Sequence, residues 1–194
     1  AHVEFHCSEI GSWFSKNGYI TDITICDEVS SIGEYAFSEC KNLSSVVFTK
    51  SVASIGNYAF QKCESLQSFA IPMGTTSIGD HVFSECETLS SVTIPNSVTS
   101  IGRYAFYGCI SLSSLSIPNG VTSIAECAFA KCTGLTSFII PNSVKDFGKY
   151  LFSWCDNMTS VEFHCEKITS GFANNTTIKE IIIGEEVISI GEAS

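Results

Sequence analysis

Charge is scarce in this sequence: Lys, Arg, Asp and Glu supply 15% of its 194 residues, against about a quarter in an ordinary globular domain. Basic residues are the scarcest part of it. Ten Lys and Arg against twenty Asp and Glu leave a net charge of −10, which argues against a protein that holds nucleic acid by its phosphates. No apolar run approaches the roughly 18 residues of a membrane span. Enzyme signatures are missing too: there is no Gly-x-Ser-x-Gly elbow, Gly-x-Gly-x-x-Gly turn, phosphate-binding Lys loop or His-Glu-x-x-His pair. The chain is therefore read as a non-enzyme, with no catalytic, cofactor-binding or metal-binding residue assigned. Thirty Ser, fourteen Phe and ten Cys fill the space that charge leaves.

Those three residue types recur on a fixed beat, and a fixed period decides the fold. The pairs Ile32-Gly33, Ile55-Gly56, Ile78-Gly79 and Ile101-Gly102 fall every 23 residues, with Ile124-Ala125 and Phe147-Gly148 continuing the series. Cys40, Cys63, Cys86, Cys109, Cys132 and Cys155 keep the same step. So do Phe14, Phe37, Phe60, Phe83, Phe106, Phe129 and Phe152, and Phe172 follows after a shortened interval of 20.

Counting each unit from its leading aliphatic residue puts Leu43, Leu66, Leu89, Leu112, Leu135 and Met158 at position 1. Apolar residues then occupy positions 4 and 6, with mostly Ser, Thr or other small residues at 2, 3 and 5. That period-2 alternation predicts a short strand. All four prolines, Pro72, Pro95, Pro118 and Pro141, stand at position 7, where a residue without an N–H marks the strand's exit. Val at position 10 and Ile at 13 lead to an Ala-Phe pair, whose spacing predicts one or two turns of α- or 3₁₀-helix facing inward. No unit can bury its apolar edge alone, so the copies must stack into a solenoid with a parallel sheet. Eight units at a strand spacing of about 4.8 Å span roughly 40 Å. Every Phe falls on an inward position and is read as core.

The unit running from Leu89-Ser90-Ser91-Val92-Thr93-Ile94-Pro95 through Ser100-Ile101-Gly102 to Ala105-Phe106 and Cys109 closely resembles the BspA-type leucine-rich repeat, and the resemblance covers essentially the whole chain. It implies an α/β solenoid: a right-handed leucine-rich-repeat superhelix, parallel sheet on the concave side, short helical returns on the convex side. It also implies a surface-exposed or secreted protein of host-associated bacteria or protozoan parasites, associated with adhesion to host matrix proteins or cells. Such a family defines no catalytic motif.

A second period overlies the first. Val3-Glu4-Phe5-His6-Cys7 returns as Val161-Glu162-Phe163-His164-Cys165, 158 residues later, and the match continues to Ile32-Gly33-Glu34 against Ile190-Gly191-Glu192. Residues 1–194 are thus expected to form one solenoid domain of about eight repeats, cut from a longer array. Unsatisfied strand edges at its ends would favour end-to-end self-association.

Ten cysteines in a surface protein suggest disulfides on arithmetic alone, yet parallel Cβ vectors in a ladder disfavour the required dihedral. Free thiols acting as small hydrophobes are the expectation there. Outside the ladder, His6 and Cys26 share position 7 of adjacent units, with Cys7 beside them. That grouping has the ligand types of a zinc cluster, but two inert thiols, or a Cys7–Cys26 disulfide, are simpler readings. The acidic pairs Asp27-Glu28 and Glu185-Glu186 read as solvated turns, and the sequons at Asn42, Asn157, Asn174 and Asn175 as by-products of periodic Asn and Ser.

A solenoid binds through the side chains that its fold leaves free. On the strands these form a nearly uncharged strip whose candidate partner residues are Ser68, Ser91, Thr93, Ser114, Ser116, Thr136 and Ser137. Tyr104, Tyr107 and Trp154 form a second, aromatic candidate on the return side. The strip lacks the Trp, Tyr and Arg that anchor tight interfaces. Two functions follow: a recognition or adhesion module for a host or matrix protein or glycan, or a spacer without its own ligand. Neither involves nucleic acid or a membrane-spanning segment.

Overall fold

Each 23-residue unit folds into one coil, and every coil but the one from Leu112 bears two strands. The computed structural model describes residues 1–168 and 174–191, so Phe172 lies outside the described residues. The first strand of a coil covers positions 3 to 6, as in Asp22–Ile25, Ser45–Phe48, Ser137–Ile140 and Ser160–Phe163. The second is the two-residue Ser-Ile step at positions 12 and 13, as in Ser54–Ile55, Ser77–Ile78, Ser100–Ile101 and Ser123–Ile124. All ladders are parallel and in the register that the repeat dictates: Ser100 pairs with both Ser77 and Ser123, and Ser137 with Ser160. The result is a parallel β-solenoid of about eight coils.

The two strand series are interrupted at different places. Segment 113–116 forms no strand, although its pattern matches its neighbours. The second series runs through the same coil as an unbroken sheet of four strands, from Ser77–Ile78 to Asp146–Phe147. Gly102 explains why this side is so narrow. A Cβ there would lie 2.7 Å from the Asp80 amide nitrogen and 2.6 Å from the Gly79 carbonyl carbon, so the Ile-Gly landmark records a close backbone approach.

The returns differ from the helices expected. A 3₁₀ turn at Ser12–Phe14 is the one helical element among the described residues. Elsewhere the Ala-Phe segment is a chain of turns, because alternate N–H groups leave the coil. Tyr35, Phe37 and Glu39 donate to the carbonyls of Asn57, Ala59 and Gln61 in the next coil at 3.0, 2.8 and 2.7 Å, while Ser38 and Cys40 close local turns onto Tyr35 and Phe37 at 3.1 Å each. An α-helix would keep all of these bonds inside the coil. Facing donors outward in alternation requires two left-handed residues per return, at Tyr35 and Glu39 (φ 56° and 58°), Tyr58 and Lys62 (59° and 55°), and so on along the array. Each non-glycine residue in that region costs about 1–2 kcal/mol, offset by the bonds between coils.

The interior is one continuous core. Phe37, Phe60, Phe83, Phe106, Phe129 and Phe152 are fully buried and stack along the solenoid at centroid spacings of 5.5, 6.0, 5.4, 5.6 and 6.0 Å. Strand aromatics wedge between the rungs: Phe69 sits 4.9 and 4.8 Å from Phe60 and Phe83, and Phe138 sits 4.9 Å from both Phe129 and Phe152. Phe14 and Phe48 are only partly buried.

Beside the rings runs a thiol ladder. Each ladder cysteine donates its S–H to the carbonyl of the Phe 26 residues earlier, from Cys40 to Phe14 at 3.0 Å through Cys86 to Phe60 at 3.0 Å to Cys155 to Phe129 at 3.1 Å. All ten cysteines are free thiols. Burial raises the pKa of every ladder thiol, that of Cys86 and Cys155 to about 12. The ladder cysteines are thus more than small hydrophobes, since each adds a second hydrogen bond to a carbonyl of the previous coil that already accepts a local backbone N–H.

Candidate binding surface

Strand alternation places positions 2, 3 and 5 on the solvent side, and the seven candidate residues Ser68, Ser91, Thr93, Ser114, Ser116, Thr136 and Ser137 are all exposed. They are not equivalent. Position 2 is a clamp between coils: Ser44, Ser90 and Thr159 donate their hydroxyls to the carbonyls of Thr21, Gln67 and Thr136 at 3.0, 3.1 and 3.2 Å. Thr136 enters that scaffold through its backbone carbonyl. The hydroxyls at positions 3 and 5, on Ser68, Ser91, Thr93, Ser114, Ser116 and Ser137, have no hydrogen-bond partner among the described residues. Ser114 and Ser116 sit on the segment without a strand, in the middle of the row.

Position 5 of the five middle coils is Val47, Ala70, Thr93, Ser116 and Ile139, with Val47 51% and Ile139 55% exposed. Val47 belongs to this row and was not among the candidates. Its signal was present as a bulky aliphatic residue at an outward strand position. These five positions are uncharged and bulkier at their two ends than at their centre, and the ladders continue them to Thr24 on one side and Glu162 on the other.

The aromatic candidates on the return side divide in two. Tyr104 ends a stack in which Tyr35, Tyr58, His81 and Tyr104 follow at 4.6, 4.6 and 4.8 Å with nearly parallel rings. Burial within this stack lowers the pKa of His81. Tyr107 meets Tyr104 edge-on at 5.7 Å and shares a cleft of about 370 Å³ with Trp154, Lys131, Thr133 and Asp156. The Lys131 ammonium lies 5.9 Å over the Tyr107 ring.

Sequence features outside these faces also find partners. Asn42 and Asn157 donate their side-chain amides to Gly18 and Thr133 of the preceding coils at 2.7 and 2.8 Å, so both are joints of the scaffold. Asp27 accepts a bond of 2.5 Å from the Thr49 hydroxyl. The neighbouring Glu28 faces His6 at 3.5 Å. In the equivalent block Glu186 faces His164 at 3.2 Å, and His164 also meets Glu162 at 2.7 Å. These two carboxylates raise the pKa of His164. The turns read as merely solvated are therefore each tied to a histidine one coil earlier.

No helix among the described residues is long and apolar enough to cross a membrane. No curated protein matches the sequence. Solved structures do. A leucine-rich repeat protein from Bacteroides ovatus is 21% identical, with 98% of this chain aligned to 66% of that one at a TM-score of 0.64. A leucine-rich repeat protein from T. pallidum is 22% identical, over 94% of this chain and 77% of that one, at 0.66. The pneumococcal vaccine antigen PcpA is 18% identical, over 86% of this chain and 58% of that one, at 0.59. At such identities these likenesses concern the fold, and the chain spans just under two thirds of the Bacteroides protein. Leucine-rich-repeat solenoids are typically binding or structural modules rather than catalysts. The BspA type leucine rich repeat region matches residues 8–94 and 76–194 in six copies, and with its period, strand register and solenoid fold the chain belongs to that family.

Proposed function

We propose that this solenoid is a recognition module of a cell-surface or secreted protein, binding a host or matrix protein, or a glycan carried on one, through positions 3 and 5 of its strand face. One observation carries the reading: at position 2 the Ser44, Ser90 and Thr159 hydroxyls join coils, whereas those at positions 3 and 5 of the middle coils stand exposed, with no hydrogen-bond partner among the described residues. A row that is uncharged over its five middle coils suits a broad contact of modest strength, in which many small groups act together. The description of one structural likeness as a vaccine antigen fits display outside a cell.

The test is binding of the 194-residue chain to immobilised matrix proteins and to a glycan array, against a variant carrying Ser91→Glu, Ser114→Glu and Ser116→Glu. The expected result is capture of at least one ligand by the parent chain and its loss in the variant, with an unchanged melting curve. Capture that survives all three substitutions overturns the assignment to this face. A second reading, a spacer without a ligand, is supported by the missing Trp, Tyr and Arg anchors, and no capture by either chain would favour it.

A further inference from the structure

At the first coils, three chemically different ligand groups converge at one end of the strand face, Glu4 at position 5 and His6 and Cys26 at position 7. The strand His2–Phe5 pairs in parallel with Asp22–Ile25, Glu4 opposite Thr24 and Phe5 opposite Ile25. The Cys26 amide continues the ladder onto the Phe5 carbonyl at 3.1 Å. That register sets His6 beside Cys26 at the strand exits, and the two-residue period puts Glu4 on the same outward face as His6. One atom of each, a Glu4 carboxylate oxygen, a His6 ring nitrogen and Cys26 Sγ, lie within 4.8 Å of one another. Cys7, the neighbour that the sequence suggested as third member, is not in the group.

We propose that Glu4, His6 and Cys26 form a zinc-binding site. The spacings support it. His6 Nε2 stands 3.7 Å from Cys26 Sγ and 3.6 Å from Glu4 Oε2. Tetrahedral zinc, with bonds of about 2.0–2.3 Å to N, O and S, holds its ligand atoms about 3.4–3.6 Å apart. The two separations from His6 need at most a few tenths of an ångström of closure, and Glu4 and Cys26 lie within 4.8 Å of each other. The other face of the imidazole is also prepared: His6 Nδ1 lies 3.5 Å from Glu28 Oε2, the outer carboxylate that orients a metal-bound histidine and fixes its tautomer. Thiolate, imidazole and carboxylate together select zinc over magnesium or calcium. Three protein ligands leave a fourth position for water.

The same chain contains the arrangement without its sulfur. In the block 158 residues later, Glu162, His164 and Glu186 repeat Glu4, His6 and Glu28, but Gly184 stands where Cys26 would be. A Cβ on Gly184 would come within 2.8 Å of both His164 Nδ1 and Glu186 Oε2. The histidine there has closed onto its carboxylates, at 2.7 and 3.2 Å. In the remaining coils, position 7 holds Thr49 or proline, neither of which supplies such a ligand.

The test is titration of the reduced 194-residue chain with Co²⁺, followed by displacement with Zn²⁺. One equivalent should bind with the visible bands of a tetrahedral ion and a sulfur-to-cobalt charge-transfer band, both removed by Zn²⁺. Cys7→Ser should leave the spectrum intact. Cys26→Ser should abolish the charge-transfer band and weaken binding by more than about tenfold, and Glu28→Gln should weaken it by about ten- to a hundredfold while keeping the band. His6→Gln, whose site is exposed, gives a second check with the fold preserved by circular dichroism. A parent spectrum without the charge-transfer band, a band that survives Cys26→Ser, or one lost in Cys7→Ser overturns the assignment.

Discussion

The inner and outer faces of this solenoid are written by one period and obey different rules. Inside, position 18 of every coil from Phe37 to Phe152 is the same residue, fully buried, and the six rings stack one on the next. Outside, position 5 runs Val47, Ala70, Thr93, Ser116, Ile139, and nothing in the fold depends on which side chain is present. The interior repeats because each coil must present its neighbour with the same shape, as close packing demands. The exterior is free to vary, and that is where a partner would be read. The comparison predicts steep losses for interior substitutions and slight ones outside.

The steepest should be Phe106→Ala. Its ring stacks 5.4 Å from Phe83 and 5.6 Å from Phe129, so truncation removes two ring contacts and leaves a cavity that neighbouring rungs cannot fill. A loss of about 3–5 kcal/mol is expected, measured by denaturant melts, and a change below about 1 kcal/mol would break the distinction between the faces. Cys86→Ala comes next. It removes the thiol bond of 3.0 Å to the Phe60 carbonyl, which keeps the Cys63 amide at 3.3 Å, for about 0.5–1.5 kcal/mol, whereas Cys7→Ala on the exposed surface should stay within about 0.5 kcal/mol. Alkylation separates the same pair. With its pKa pushed up to about 12 by burial, Cys86 should stay unmodified in the folded chain near neutral pH, while exposed Cys7 reacts.

The inner face was almost wholly legible in the sequence, because periodicity is a property of packing: Leu43, Ile55, Phe60 and Cys63 keep the same places, and each is buried. The bonds that carry the pattern were less legible. The Ala-Phe spacing suits a helix and a turn chain equally, and the choice was made by Asn57, Ala59 and Gln61 offering carbonyls one coil away, partners 22 residues distant in sequence. The thiol ladder was placed correctly, but its acceptor carbonyls could not be read from side-chain chemistry. On the outer face, strand alternation found the exposed hydroxyls and could not separate position 2, which clamps coils, from positions 3 and 5. Likewise His6 and Cys26 were visible as neighbours, but the partner at the third place is Glu4 rather than the adjacent Cys7. Alternation along a strand turns residue 7 away from residue 6 and brings residue 4 beside it.

The smallest expected effect lies on the outer face at His164, and its sign can be worked out. Glu162 and Glu186 raise the pKa of this histidine, so the stabilisation is fully present below the ordinary value of about 6.5 and disappears as pH rises through the folded-state value. Glu186 has the opposite dependence. Its own backbone amide and His164 lower its pKa, so its share is present above the ordinary carboxylate range, about 4.3, and is lost as pH falls through the depressed value. Both contributions coexist between about pH 5 and 6.5. His164→Gln should therefore lower the melting midpoint most in that window and least above pH 8. The side chains of His164 and Glu186 are 35% and 47% exposed, and solvent screening keeps the contribution of such a pair small. A pH-independent difference between the two chains would mean that the histidine acts by packing alone, and the outer face would then resemble the inner one more than its exposure implies.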